Sequence, residues 1–505
     1  MGLLFESGDI DILEPVLEEK SEFRLETEVY LPDYLPDIQK ILRSEIIPRV
    51  ASRDMLAGRI TVEGEAEIRV FYKSANDEIS CAVAVKEFTH TVAVSEPDAD
   101  YDVSTNTTAG INSVRASGPR KIAVKAEVST VIVAARNSVI QAAENVSDGV
   151  EARRENITLI SNAESAEGEM RVTEELELPE TMPEIRSLLY ADAAVKVKDV
   201  VPSAGRCVIK GELTVKPVYI SEDGALHKGE FGFPVNRILD LPNIDDKYIC
   251  DGEMQIVSVY AEPDKNSSGS SRVIDCEIVV NALLHAYKLN DCNIITDVYA
   301  PGKMLSEGYA EAKCLTCYDF YRDEKEIRGQ IETENGILKV VDVNAEPRIM
   351  RVTAEEGCLK AEGIVNADMV YNSESGLSSK KAELPFEFSF PYSCELDARC
   401  DTEVAVDSVG YNISGDNTLD LRAVVSIKAS VCAERKVRAV NDITVTGDNP
   451  TCARCPVILY YAEKGESAWE IAKKYGASVN VIIEENALSG DLITEPAMLM
   501  IPLKQ

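Results

Sequence analysis

Residues 58–72 read GRITVEGEAEIRVFY, an alternation of apolar and polar residues that is typical of a β-strand with one buried face. The pattern returns at 205–219 as GRCVIKGELTVKPVY and at 357–371 as GCLKAEGIVNADMVY. In all three stretches a glycine opens the segment, a second glycine follows six residues later, and a tyrosine closes it. The chain therefore contains an internal repeat of three copies, each built on strands.

The first two copies align without a gap at an offset of 147 residues. Both also carry a proline-rich element, LPDYLPDIQKIL at 31–42 and LPETMPEIRSLL at 178–189. The third copy, at an offset of 299, has ENGILKVVDVNAEP at 334–347 instead. Because Pro36 and Pro183 precede apolar residues at helical spacing, we predict a short helix after each proline.

Further strands are predicted at 120–135, 271–286 and 418–433, separated from their neighbours by turn-forming clusters such as SGDN at 414–417. The fold class that follows is mainly β. We predict three tandem antiparallel β-rich domains at 1–150, 151–302 and 303–448, each of an ordinary domain size.

The last segment, 456–505, has a different pattern. A short apolar strand ends at Tyr461, and Ser467 is placed to begin a helix that ends at Gly476. A second short helix and a closing strand around Leu499 complete a small βααβ domain of about 50 residues, near the lower size limit for an independent core.

Composition excludes several functions. The formal net charge of −35 argues against nucleic-acid binding, which requires a basic surface. No uninterrupted apolar run of about 18 residues is present, so we expect no membrane span. The N-terminal MGLLFESGDIDILEP lacks the basic and apolar regions of a secretory signal, and we expect a cytoplasmic protein.

Thirteen scattered cysteines do not resemble a disulfide framework. The pairs Cys314/Cys317 and Cys452/Cys455 have the spacing of half a zinc site each, but 135 residues separate them and no histidine is near either. Reduced thiols are the favoured interpretation over a joint metal site, and we predict no metal and no cofactor.

No catalytic constellation is evident. Only three histidines occur, and His285, within the apolar ALLHAY, is predicted to be a buried imidazole with a satisfied hydrogen bond. Nucleophile, metalloprotease and phosphate-loop motifs are absent from the sequence. We therefore predict a protein that is not an enzyme.

The proline-rich element and the Gly-x5-Gly-x7-Tyr strands resemble the SPOCS domain of spore-coat assembly proteins from endospore-forming bacteria. The likeness covers most of residues 20–445 and is weaker in the third copy. The terminal segment resembles a LysM domain, a βααβ unit associated with N-acetylglucosamine polymers. This order of domains is similar to that of the SipL-type spore-coat morphogenetic proteins.

The LysM resemblance implies a binding site at the first turn and around the second helix, formed by Gly465, Glu466, Ser467, Trp469, Asn486 and Leu488. Two segments depart from the LysM pattern, Gly465-Glu466-Ser467-Ala468 and Glu495-Pro496-Ala497, and both border the sugar groove of family members. Trp469 is either a core aromatic of the small domain or an exposed interface anchor.

Two functions follow from these resemblances. The favoured one is a non-enzymatic adaptor of coat assembly in the mother cell, at the forespore surface. It implies binding to the coat morphogenetic ATPase, stage IV sporulation protein A, and to other coat proteins, with self-association also open. The alternative is a peptidoglycan-binding protein of the cell wall or spore cortex.

Overall fold

The computed structural model describes residues 5–75, 78–96, 100–355, 357–374, 376–391, 398–448 and 456–503. As predicted, the chain is mainly β, and all of its paired strands run antiparallel. Within these ranges, no helix combines the length and the apolar composition that crossing a membrane requires.

The first copy forms two three-stranded sheets, in the orders β1-β6-β5 and β2-β3-β4. Its strands are β1 (Phe5–Tyr30), β2 (Ile38–Leu56), β3 (Arg59–Ser74), β4 (Ile79–Ala93), β5 (Tyr101–Gly118) and β6 (Lys121–Val146).

The second copy repeats this arrangement, except that the strand corresponding to β4 is divided into a short and a long piece. Its strands are β7 (Glu151–Glu177), β8 (Ile185–Ser203), β9 (Arg206–Ser221), β10 (Leu226–Lys228), β11 (Phe231–Asp240), β12 (Tyr248–Asp264) and β13 (Val273–Tyr299). One sheet has the order β12-β13-β7, and in the other β9 pairs with β8, β10 and β11.

The third copy forms sheets in the orders β14-β19-β18 and β15-β16-β17. Its strands are β14 (Lys303–Glu332), β15 (Lys339–Glu355), β16 (Cys358–Ser373), β17 (Gly376–Pro391), β18 (Ala398–Ile413) and β19 (Thr418–Asp448). In each copy the apolar faces of the two sheets enclose one hydrophobic core, around Tyr72, Tyr219 and Phe388 respectively.

The repeated glycines have two separate physical causes. Gly58, Gly205 and Gly357 have φ values of 74°, 77° and 76°, in the left-handed region that glycine enters without strain. Gly64 faces a bulge of β2, where an added Cβ would lie 2.3 Å from the carbonyl oxygen of Arg49. Gly363 meets the same obstacle, with an added Cβ 2.5 Å from the carbonyl oxygen of Arg348.

The prediction of helices after Pro36 and Pro183 is wrong. Each proline follows directly after a turn, and a strand begins two residues later, at Ile38 or Ile185. The helical spacing arises because β2 and β8 each contain two closely spaced register shifts at this end, which break the alternation of a regular strand.

The proline-rich turn is held by side chains from elsewhere in its own copy. Tyr72 donates a hydrogen bond from its hydroxyl to the carbonyl oxygen of Pro36 at 2.9 Å, and Tyr219 does the same to Pro183 at 3.0 Å. Arg120 adds a hydrogen bond to the carbonyl oxygen of Pro32 at 2.8 Å. The tyrosine that closes each repeated strand therefore positions the element that distinguishes the first two copies.

The three copies share hydrophobic clusters. The first and last strands of each copy are 26 to 31 residues long, longer than their neighbours. Their extensions pack together, so that one cluster contains Ile12, Leu159 and Cys314. Ile12 and Leu159 are equivalent positions 147 residues apart, so the extended strands of the copies pack against one another in this cluster.

The terminal module has the predicted βααβ order. It consists of β20 (Val457–Ala462), α1 (Ala468–Tyr475), α2 (Val479–Glu485) and β21 (Ala497–Pro502). β20 and β21 form a two-stranded antiparallel sheet, and Ala462, Ile471, Ile482 and Leu499 lie in its core.

Candidate functional site

Gly465, Glu466 and Ser467 lie together in the turn between β20 and α1. Gly465 has a φ of 95°, which explains the glycine at this position. The Glu466 carboxylate accepts hydrogen bonds from the Tyr460 hydroxyl at 2.7 Å and from the Glu463 backbone N–H at 2.8 Å. These bonds hold the pKa of Glu466 below its usual value. Glu466 therefore stabilises its own turn.

The predicted role of Ser467 as the N-cap of α1 is only half right. Ser467 occupies the cap position in an extended conformation, but its side chain bonds to no backbone N–H of the helix. Asp491 takes that role by accepting a hydrogen bond from the Trp469 backbone N–H at 2.7 Å. Ser467 donates from its hydroxyl to the same carboxylate at 2.8 Å. The cap is thus supplied by a residue 22 positions away along the chain.

The turn is also bonded to the segment that leads toward β21. The Gly465 N–H donates to the carbonyl oxygen of Ile493 at 2.8 Å, and the Ile493 N–H donates to that of Glu466 at 2.9 Å. The Ala468 N–H donates to the carbonyl oxygen of Asp491 at 2.7 Å. Residues 465–468 and 491–493 therefore contact each other through their backbones.

Asn486 and Leu488 lie apart from this turn. The Asn486 amide donates to the carbonyl oxygens of Ile482 and Met500 at 2.8 Å each, and its oxygen accepts from the Met500 N–H at 2.7 Å. These bonds tie α2 to β21. Leu488 is half-buried against the core of the module. Gly465, Glu466 and Ser467 are thus grouped at the first turn, whereas Asn486 is bonded to α2 and β21.

Trp469 is buried, with 7% of its surface exposed, which agrees with the core aromatic and not with the exposed anchor. It nevertheless lies at an interface, between the module and β13 of the second copy. Its ring meets Tyr299 edge-on at a centroid distance of 4.9 Å, and its Nε1–H donates to Asp297 at 2.8 Å. The only tryptophan of the chain therefore serves an internal contact.

Three further contacts extend this junction, to which we refer as the Trp469 junction. Lys473 binds Asp297 at 2.6 Å and Glu307 at 3.1 Å, and the Tyr299 hydroxyl donates to the carbonyl oxygen of Ala477 at 2.9 Å. Burial alone would raise the pKa of Asp297, but the hydrogen bonds from Lys473 and Trp469 hold it below its usual value. The module is thus anchored to the second copy by apolar, hydrogen-bond and ionic contacts.

The outer face of the two-stranded sheet is apolar and exposed. Leu459 on β20 is 71% exposed and Met498 on β21 is 60% exposed. Val457 and Tyr461 lie on the same face of β20, and Tyr461 pairs with Met498 across the strands. We refer to Val457, Leu459, Tyr461 and Met498 as the apolar face. Contiguous exposed apolar residues of this kind are typical of interaction surfaces.

The apolar face was not predicted from the sequence, although the residue pattern of β20 indicates it. β20 reads VILYYA, which is apolar on both faces of the strand. In a two-stranded sheet covered by helices on one side, a strand of that kind leaves its second apolar face uncovered.

No metal site is found in the part of the chain that the structure describes, where no three His, Cys, Asp or Glu side chains are placed to hold an ion. Cys314 is buried in the cluster shared by the three copies. Cys452 and Cys455 lie outside the described residues. His285 is buried as predicted, and its Nδ1 lies 2.7 Å from an Asp102 oxygen of the first copy.

Comparison with known proteins identifies two of the three copies. Residues 37–117 and 336–414 each match the family model described as SipL, SPOCS domain. The first match spans β2 to β5 and the second spans β15 to β18. The third copy is matched even though it lacks the proline-rich element. The matched segments lie outside the terminal module, for which LysM membership stays a prediction.

No curated protein and no solved structure matches the chain. Both segments match the same family of domains, which agrees with the resemblance of the repeated sequence patterns. The two matched segments cover equivalent strands of their copies, and the same strand order recurs in the second copy. Residues 37–117 of the first copy and residues 336–414 of the third copy are therefore similar to the SPOCS domain of the SipL type.

Proposed function

We propose that this protein is a non-enzymatic adaptor of spore-coat assembly that binds a coat protein through the apolar face of its terminal module. The observation that carries this proposal is the exposure of Leu459 and Met498 on a module whose other side is anchored to the second copy. Anchoring holds the face in one orientation relative to the SPOCS domains, which lowers the entropic cost of binding.

The partner proposed is the coat morphogenetic ATPase, stage IV sporulation protein A, together with other coat proteins. The SPOCS matches support a role in the coat, and from this role we infer a location in the mother cell at the forespore surface. Four apolar side chains are enough to form the centre of a specific interface, since a few buried residues carry most of the binding energy.

Peptidoglycan binding is the less favoured candidate. Glu466, Ser467 and Asn486, which the LysM resemblance places at the sugar site, are engaged in hydrogen bonds within the module. Releasing them for a sugar would break the bonds that hold the first turn and β21 in place.

A binding assay with the purified coat ATPase tests the proposal. We expect the full-length chain to bind it and the Leu459→Asp and Met498→Asp variants to lose binding, because each places a charge in the centre of an apolar contact. Val481→Asp, at an exposed position on α2, is the matched control and should bind normally.

Three results would contradict the proposal. Unchanged binding by both apolar-face variants would exclude that surface, and unchanged binding after deletion of residues 456–505 would exclude the module. Binding of the full-length chain to purified peptidoglycan, competed by chitooligosaccharide and unaffected by Leu459→Asp, would favour the sugar-binding alternative.

A further inference from the structure

A second feature lies beside the Trp469 junction. A cavity of about 660 Å³ that is open to solvent lies between the second copy, the third copy and α1. Its walls are polar, and they include Arg153 and Arg154 of β7, Arg438 of β19 and Lys473 of α1. Four cationic side chains thus face one cavity in a chain whose formal net charge is −35.

The three arginines retain hydrogen-bonding capacity. Arg154 donates to neutral acceptors, the Asn293 side chain at 3.3 Å and the carbonyl oxygen of Glu144 at 3.0 Å, and has no carboxylate partner among the described residues. Arg153 approaches Asp491 only to 3.6 Å. A guanidinium group carries five N–H donors, so most of these donors are available to a ligand.

Arg438 is oriented by an aromatic ring. Its guanidinium carbon lies 3.6 Å from the centroid of the Tyr309 ring, and its Nε lies 3.6 Å from a Glu311 oxygen. Stacking on the ring fixes the plane of the guanidinium while leaving its edge open to the cavity. Of the other lining residues, Glu155 and Asp297 carry negative charge, which leaves the lining with two net positive charges from four cations and two anions.

We propose that this cavity is an oxyanion site for a ligand with adjacent phosphoryl groups, such as a diphosphate or triphosphate. A terminal phosphoryl group offers three acceptor oxygens directed apart, which suits guanidinium groups that approach from separate strands. A single carboxylate offers two oxygens in one plane and would engage fewer of them. Because α1 forms part of the wall, the ligand also binds close to the Trp469 junction.

Titration of the full-length chain with pyrophosphate tests this site. We expect saturable binding with one ligand per chain by calorimetry, accompanied by a change in the fluorescence of Trp469. Citrate, a polycarboxylate, should bind about tenfold more weakly or less at equal ionic strength. Absence of saturable binding, or equal affinity for citrate, would overturn the proposal.

Substitutions of residues in the cavity lining test whether the ligand binds there. Arg154→Gln and Arg438→Gln should each weaken pyrophosphate binding by about tenfold or more. The matched control is Lys125→Gln, which removes an exposed cation of the first copy that pairs with Glu26 and lies outside the cavity lining. Equal losses in all three variants would show a general effect of net charge and would contradict the site. Thermal unfolding of each variant verifies that the fold is retained.

This site is independent of the proposed docking function. The apolar face lies on the outer side of the module sheet, whereas the cavity adjoins α1. Leu459→Asp should therefore leave pyrophosphate binding unchanged, and Arg154→Gln should leave binding of the coat ATPase unchanged. Failure of one proposal can thus be distinguished from failure of the other.

Discussion

Arg43 and Asp342 form a buried ion pair at 2.6 Å although 299 residues separate them along the chain. This separation equals the offset between the first and third copies, so the two residues occupy equivalent positions in their repeats. The second copy has Tyr190 there, and its ring packs edge-on against Phe71 of the first copy. The three copies therefore contribute Arg43, Tyr190 and Asp342, at equivalent positions, to one contact region.

The ion pair should be essential for stability. Burial alone would lower the pKa of Arg43 and raise that of Asp342, but their mutual attraction shifts both in the opposite direction. We expect Asp342→Ala to lower the free energy of unfolding by about 3–5 kcal/mol, because it removes the closest carboxylate from a buried cation and leaves only Glu45 at 3.5 Å. Urea unfolding measures this loss.

A double variant tests whether Asp342→Ala destabilises the fold because it leaves a buried charge without its closest partner. Replacing both residues by apolar ones, as Arg43→Met with Asp342→Leu, should cost less than Asp342→Ala alone. If Asp342→Ala lowered the free energy of unfolding by less than about 1 kcal/mol, this result would contradict the structural role assigned to the pair.

The contact between His285 and Asp102 predicts a pH dependence of stability. Burial alone would lower the pKa of His285, but Asp102, with further attraction from Glu253 and Asp251, raises it to about 9. The stabilisation is therefore complete below the unfolded pKa of about 6.5 and is lost as the pH rises through 9. His285→Gln should be much less stable than the parent at pH 6, and the difference should narrow above pH 9.

His90 provides the matched control. It is also buried, but burial lowers its pKa, and its neighbour is the Ser21 hydroxyl at 2.8 Å. The stability difference caused by His90→Gln should change only on the acid side of about pH 6.5. If the effect of His285→Gln were constant from pH 6 to pH 10, the buried charged pair would be excluded. Urea unfolding from about pH 5 to about pH 10 measures both differences.

The close approach at Gly64 predicts intolerance to a single methyl group. A Cβ there would lie 2.3 Å from the carbonyl oxygen of Arg49 and 2.6 Å from a Phe88 ring carbon. We expect Gly64→Ala to lower the free energy of unfolding by about 1–3 kcal/mol. Gly110→Ala, where no atom lies within 4 Å of the added carbon, is the control and should have little effect. Equal stability of the two variants would contradict this account of the repeated glycine.

The Trp469 junction predicts energetic coupling between two residues 172 positions apart. Trp469→Phe keeps an aromatic ring against Tyr299 but removes the Nε1–H donor to Asp297. We expect a loss of about 1.5–3 kcal/mol, the usual value for a hydrogen bond to a charged group, and faster hydrogen exchange of the α1 amides.

A double-variant cycle with Asp297→Asn measures this coupling. If the stability losses of Trp469→Phe and Asp297→Asn simply added in the double variant, the two residues would act independently. Glu470→Gln, an exposed change on the same helix, should leave both hydrogen exchange and stability unaltered.

Much of the local structure could be predicted from the sequence. Strand alternation and the repeated glycines identified three β-rich copies, because backbone conformation depends on neighbouring residues. The helices predicted after Pro36 and Pro183 were wrong, since bulges in β2 and β8 imitate helical spacing. Such bulges depend on pairing with β3 and β9, which one strand cannot reveal.

The candidate site was predicted less well than the fold. The resemblance to a LysM domain directed attention to Glu466, Ser467 and Asn486, whose polar atoms are engaged within the module. Leu459 and Met498 were missed because an apolar residue on a strand is normally counted toward a core. Only the packing of both helices on one side of the sheet leaves them exposed.

The sequence by itself determined the three-copy repeat, the strand patterns and the βααβ order of the last segment, since periodicity and turn-forming residues act over short distances. The tertiary structure alone decided that Arg43 meets Asp342, that Trp469 anchors the module to Tyr299, and that one sheet face stays uncovered. The physical reason is that these partners lie far apart along the chain, and their contact depends on how whole sheets pack.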